Sequence, residues 1–290
     1  MQRIKLMTDS ASDLPNELAQ QLGIEIIPFP IAVDGKGYME GVDFTPRQFY
    51  DIMQNAKEIP TTSQIPTVTY CEHYYSAFEK GYTDVIHVPI NRSGSSTYNN
   101  AVMAQGMLRE ERPEHHLNIH LLDPHTYSMV FGWYLCEMAR KLQNGAELRH
   151  VISEFETQMN KMEVILGPYS LKQMKKSGRI SAAAAVMGEL MGIRPIITLI
   201  DGKTRVESKV RGDDKVIPAM IDLCKKRTEG VEDFDYMIGH TSIPQAAELE
   251  KACRKAFGKA PLTTFNLGGV VSANTGPDTL ALVYVGKPRD

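Results

Sequence analysis

Val85-Ile86-His87-Val88-Pro89-Ile90-Asn91-Arg92-Ser93-Gly94-Ser95-Ser96-Thr97 decides the fold. Its first four residues are a short, β-branched run of the kind that forms a buried strand. A hydroxyl-rich turn follows, and a helical pattern then continues to about Leu108. The chain on either side repeats this unit of strand, polar turn and helix. Upstream, Arg3-Ile4-Lys5-Leu6-Met7 reads as a first strand ending at Thr8-Asp9-Ser10, and Asp13 and Pro15 open a helix that stops at Gly23. Ile24 to Phe29 is a second buried run, Asp34-Gly35 marks a tight hairpin turn, and Thr45-Pro46 starts another helix. Downstream, Ile119-His120-Leu121-Leu122 is a strand ending at Asp123, before a longer helix containing Trp133. Such alternation predicts a parallel α/β sheet, in which ligand-binding residues lie beyond the carboxyl ends of the strands. Asp9, Ser95 and Asp123 fall at such ends.

A second hydroxyl segment precedes the first. Pro60-Thr61-Thr62-Ser63-Gln64-Ile65-Pro66-Thr67 places hydroxyls and an amide between two prolines, just before a helical pattern from about Val68 to Gly81. The prolines keep the backbone extended, and Thr67 is the expected N-cap. Hydroxyls beside free backbone N–H groups at the positive end of a helix suit an anionic head group when no lysine is present. The competing reading is two ordinary loops that cap their own helices.

Beyond Trp133, a helical pattern over Glu147 to Met159 leads to the run Glu163 to Leu166. The second unit then shows helical material from Ser170 to Lys176 and a helix over Ala182 to Ala185. Strands Ile196 to Ile200 and Thr204 to Val210 are joined at Asp201-Gly202 and are therefore antiparallel. A helix from about Asp213 to Lys226, a strand Tyr236 to Gly239, a helix after Pro244 and strands Leu262 to Phe265 and Leu280 to Val285 complete the chain. The expectation is an α/β protein of two domains, residues 1–160 with a parallel sheet and 161–290 with a mixed sheet.

The 290 residues, 42% of them hydrophobic, allow a core in each unit, and a net charge of −3 gives no reason to expect nucleic acid or an anionic membrane as partner. Cys71, Cys136, Cys224 and Cys253 are far apart, as in reduced thiols of a cytoplasmic protein. No signal peptide and no membrane span are expected.

Most catalytic signatures are absent. There is no G-x-S-x-G elbow; Gly202-Lys203-Thr204 lacks the upstream glycine of a phosphate loop, and Gly35, Gly37 and Gly41 miss dinucleotide spacing. His116 and His120 share no helical face, so no metal is expected there. Asp9 and Asp13 flank a turn where a phosphotransferase could hold magnesium, although capping and turn hydrogen bonds are their commoner use. Met187 and Met191, beside the alanine run, suit a core or the wall of an apolar tunnel. An enzyme using Asp9 and Ser95, a small-molecule phosphotransferase or hydrolase, stays open at this point.

Thr8-Asp9-Ser10-Ala11-Ser12-Asp13-Leu14-Pro15, Thr62-Ser63-Gln64, Ser95-Ser96-Thr97-Tyr98, Lys176-Ser177-Gly178-Arg179-Ile180, Ile193-Arg194-Pro195 and Asn274-Thr275-Gly276-Pro277 together resemble the DegV family of fatty-acid-binding proteins, in the family's order. The resemblance implies two α/β domains with a long-chain fatty acid between them, and no cofactor or catalysis of the protein's own. It implies that Thr62, Ser63 and Ser95, with Asn274, hold the carboxylate. It also implies a carrier, expected as a monomer, that presents the acid to a separate ATP-dependent fatty acid kinase for acyl phosphate formation and phospholipid synthesis. Arg179 and Arg211 would dock that partner. Ser96 stands where the family carries glycine, Ile65 where proline follows the glutamine, and Asn274 where many members carry histidine. The phosphotransferase or hydrolase is the leading alternative, and a carrier of another lipid or apolar carboxylic acid is a third, weaker reading.

Overall fold

The computed structural model describes residues 2–111, 116–178 and 192–289. Apolar runs and breakers fall where the pattern placed them. Strand β1 (Ile4–Asp9) leads through a 3-10 turn at Ser10–Ser12 to α1 (Asn16–Leu22), which Gly23 ends in the left-handed conformation at φ 69°. Strand β2 (Ile24–Ile27) follows, then a hairpin of β3 (Pro30–Val33) and β4 (Lys36–Met39), turned at Asp34-Gly35. Helix α2 (Pro46–Asn55) starts at a capping box of Thr45 and Gln48.

Thr61–Thr62 form a two-residue strand, β5, that pairs with Ile31 and Ala32 of β3, so the first hydroxyl segment is partly sheet. Helix α3 (Thr67–Glu79) begins one residue earlier than expected. Pro66 is its extended N-cap, and Thr67 makes no capping bond because it is already inside the helix. Strand β6 (Asp84–Val88), helix α4 (Thr97–Glu111), strand β7 (Asn118–Leu121) and helix α5 (Met129–Gln143) continue the alternation. The strands β2-β1-β6-β7 form one parallel sheet, and β4-β3-β5 form a small antiparallel one beside it.

Helix α6 (Leu148–Met159) leads into the second sheet. Its strands are β8 (Met162–Pro168), β9 (Ile193–Ile200), β10 (Lys203–Arg211), β11 (Tyr236–His240), β12 (Thr264–Asn266) and β13 (Thr279–Val285). They lie in the order β10-β9-β8-β13-β11-β12, all antiparallel except β11 with β12. Between them run α7 (Lys172–Ser177), α8 (Val216–Arg227), α9 (Gln245–Phe257) and α10 (Gly269–Thr275). The sheet is mixed, as expected. The helix expected over Ala182 to Ala185, and Met187, Met191 and Arg179, lie outside the described residues.

Strand alternation separates two layers of core. Ile165, Leu280, Leu282 and Tyr284 pack on one face of the mixed sheet with α8 and α9, whereas Val164, Leu166, Ala281 and Val283 face the other way. The latter group belongs to one continuous apolar cluster with Leu6, Ile86 and Val88 of the parallel sheet and Phe131 and Leu135 of α5. Burying a side chain of this kind contributes roughly 1.5–3 kcal/mol, so a cluster drawn from both sheets ties them firmly together.

Candidate functional site

The apolar face of the mixed sheet borders a cavity of about 450 Å³. Val164, Leu166, Leu199, Ala281 and Val283 supply one wall; Phe265, Leu267, Val270 and Val271 supply another; Phe29, Ile90 and Val130 come from the N-terminal half. Polar groups gather at the hydroxyl segments. Thr62, Ser93, Gly94 and Ser95 line the cavity there, and Asn274 and Thr275 of α10 reach it from the other half. A second, more polar opening of about 610 Å³ shares Phe29, Thr62 and Ser93 to Ser95 and adds Ser63, Gln64, Arg92 and Ser96. The hydroxyls therefore sit where an apolar chamber meets a polar mouth.

Thr97 joins the two segments. It is buried, and its Oγ1 accepts the Ile65 N–H at 3.2 Å and the Ser95 hydroxyl at 2.9 Å, while Ser95 Oγ accepts the Thr97 N–H at 3.2 Å. Asn100 donates to the Ile65 carbonyl at 2.8 Å. The starts of α3 and α4 are thus pinned side by side. Gly94 permits this mouth to form: a Cβ there would stand 1.9 Å from the Tyr127 hydroxyl, which donates to the Gly202 carbonyl at 3.3 Å.

Of the residues expected at the head group, Thr62, Ser95 and Asn274 come together on the cavity, and Ser63 is exposed on the outer opening only. Asn274 donates Nδ2 to the Val270 carbonyl of its own helix at 2.7 Å. A lysine is present after all: Lys203, at the tip of the β9–β10 hairpin, is among the lining residues. Arg211 is exposed at the far end of β10, about 26 Å along the strand from Lys203. His120 sits in β7 and bonds Asp84 at 3.1 Å, and among the described residues no group of three His, Cys, Asp or Glu could hold a metal.

Asp9 lies outside both openings. It is fully buried and accepts the Ile90 N–H at 2.7 Å and the Ala11 N–H at 3.2 Å, so it closes turns, the commoner of its two expected uses. Burial pushes its carboxyl up to about 8 against those hydrogen bonds. Asp13 is likewise raised by burial and by the neighbouring Glu40 charge, and Glu40 is raised by burial to about 7. Glu40 is a residue the sequence reading missed. The only available signal was the pair Gly268-Gly269, where a Cβ would stand 2.1 Å from Asp13 Oδ1 and 3.1 Å from Glu40 Oε1, respectively.

The model of the DegV family of uncharacterised proteins matches residues 3–287. The chain belongs to the DegV family. A DegV domain-containing protein of Clostridium perfringens is 32% identical over 288 residues, covering 97% of this chain and 98% of that one. Among solved structures, the fatty acid binding DegV family protein of Streptococcus agalactiae superposes with a TM-score of 0.86 at 27% identity, over 99% of this chain and 100% of the other. A DegV family protein of Thermus thermophilus, described for its fatty acid binding, gives 0.84 at 26% identity, over 98% and 100%. The DegV likeness therefore spans both sheets and the cavity between them, and the parallel-then-mixed arrangement is that of the DegV structures. Among the described residues no helix is long and apolar enough to cross a membrane.

Proposed function

We propose that this protein is a carrier that binds one long-chain fatty acid in the cavity, its tail between the two sheets and its carboxylate at the hydroxyl segments. The observation that carries this reading is the position of Thr62 and Ser95 at the junction of an apolar chamber and a polar mouth. A carboxylate leaving water must be hydrogen-bonded or protonated, and hydroxyls beside helix N-termini supply donors. Lys203 adds a cation on the same wall. The tail supplies the affinity: at ~0.8 kcal/mol per methylene, about fourteen methylenes give roughly 11 kcal/mol gross, which ordering costs reduce. The chamber lies within the roughly 300–1,000 Å³ typical of small-molecule sites. The fatty acid binding described for the Streptococcus agalactiae and Thermus thermophilus proteins supports the same ligand class.

The finer parts of the reading follow from the family resemblance. Thr62, Ser63, Ser95 and Asn274 hold the carboxylate; residues 1–160 and 161–290 act as two domains; and the chain works in the cytoplasm as a monomer without catalysis of its own. A separate ATP-dependent kinase converts the presented carboxylate to an acyl phosphate, with Arg211 and Arg179 at the docking surface. Against the phosphotransferase or hydrolase alternative stands the burial of Asp9, outside the openings that Ser95 lines. Titration of the delipidated protein with palmitate and oleate tests the carrier. Steady hydrolysis of ATP or an acyl ester, abolished by changing Ser95, would favour the enzyme instead.

A further inference from the structure

Two acidic side chains that line neither opening hold several of the residues that do. Glu40 is buried, and its Oε1 accepts the Val270 N–H at 2.9 Å, with the Gly269 N–H also directed at the carboxylate. Its Oε2 accepts the Ser10 hydroxyl at 2.6 Å, and Ser10 Oγ in turn accepts the Phe29 N–H at 3.0 Å. Asp13 accepts the Ser128 hydroxyl through Oδ2, and its shielded Oδ1 lies against Gly268. On the other side of the same segment, the Tyr50 hydroxyl donates to the Leu267 carbonyl at 2.5 Å. Phe29, Ser128, Leu267 and Val270 all line the cavity, and Asn274 follows one helical turn after Val270.

This arrangement suits side chains that offer more than one acceptor position. Three successive amides at residues 268–270 have no helical carbonyl to bond, and a carboxylate with four lone-pair positions can take amides and a hydroxyl together. Gly268 and Gly269 let the backbone come close enough: a side chain at 268 would displace Asp13 or Glu40, and one at 269 would press on Phe44, Ile31 and Glu40. Both carboxylates come from the N-terminal half and grip a segment of the C-terminal half.

We propose that Glu40 and Asp13 are positioning residues for the head-group end of the cavity: they hold Phe29, Ser128 and the backbone of residues 267–270, and through that segment they aim Asn274. The proposal rests on the reading that the cavity takes a carboxylic acid. Its test is chosen to separate the two. Palmitate affinity is measured by calorimetry on the delipidated full-length protein, and amide hydrogen exchange over residues 267–275 is followed on the same preparations without ligand. Glu40→Ala should weaken palmitate about tenfold or more and speed exchange at residues 268–270. Glu40→Gln keeps a carbonyl oxygen for Val270 and should recover most of both, which a loss caused by general destabilisation would not do. Tyr50→Phe removes one hydroxyl donor, leaves the ring packing intact and should give the same two effects in milder form. Asp13→Ala, which removes the acceptor of the Ser128 hydroxyl and the carboxyl group against Gly268, carries the test if Glu40→Ala does not fold. Wild-type exchange over residues 267–270 in a folded Glu40→Ala protein, or in Asp13→Ala should Glu40→Ala not fold, overturns the proposal. A wild-type protein that binds no palmitate overturns the carrier reading, and the exchange measurement still decides whether the carboxylates hold the segment.

Discussion

At the residue scale, the cavity mouth works through hydroxyls that already have partners. Ser95 donates to Thr97 and accepts its amide, so a bound carboxylate would redirect a hydroxyl that the fold has placed. Replacing Ser95 by alanine should cost about 1–3 kcal/mol of palmitate binding, because a charged acceptor loses a donor that solvent cannot replace. Calorimetry reads the cost, and the melting temperature of the apo protein should barely move; an unchanged affinity would place the head group elsewhere. Asn274 offers a sharper contrast. Its Nδ2 bonds Val270, and Asn274→Asp would put a negative charge on the cavity wall at nearly constant size. Palmitate affinity should fall at least about tenfold, and methyl palmitate, which carries no charge, should lose far less. Equal losses for both ligands would mean that Asn274 does not face the carboxylate.

At the scale of elements, the acidic cluster behind α10 makes stability depend on pH. Asp9 and Glu40 are raised by burial from 3.8 and 4.5 to about 8 and about 7, and Asp13 is raised as well. The charged and titratable groups around them are Tyr50, Arg47 and Tyr70. The folded protein holds protons that the unfolded chain releases. Stability from these groups is therefore complete below the unfolded values and is lost as pH rises through about 7 and then about 8. Glu25 acts in the opposite sense: hydrogen bonds from His73 and Lys5 outweigh its burial and lower it to about 2, a contribution lost in strong acid. Thermal melting should give a maximum below neutrality and a decline toward pH of about 8.5, and Glu40→Gln should flatten the alkaline side. A melting temperature that rises steadily from about pH 6 to 8.5 would contradict the assignment.

The elements also show what sequence could and could not reveal. Most strands and helices and the hairpin at Asp201-Gly202 were legible because buried apolar runs and glycine or proline breakers act locally, whereas α10, which opens on a glycine, was not expected. Thr61–Thr62 as a strand was not, because its partner is β3, some thirty residues away, and its pattern is polar. The hydroxyl segments were legible as chemistry and Asn274 only through the family resemblance, and their meeting on one cavity required the packing of both sheets. Glu40 was hidden for the same reason. Nothing beside it in sequence distinguishes a surface glutamate from one whose partners are 230 residues distant.

At the scale of the whole molecule, two sheets share one apolar cluster yet leave a chamber between them, and the walls of that chamber are built from both halves. Arg211 is exposed at the end of β10 remote from Lys203. On the proposed docking role, Arg211→Ala should retain palmitate binding and lose acyl phosphate formation with the proposed kinase partner, measured by calorimetry and a coupled kinase assay on the same preparations. Full phosphorylation would end the docking assignment, and lost lipid binding would move Arg211 into the cavity's account. The chamber itself is the central claim. Calorimetric titration of the delipidated protein with palmitate tests it most directly: the account predicts saturable binding of one acid per chain at submicromolar affinity, and the absence of saturable binding of palmitate would contradict it.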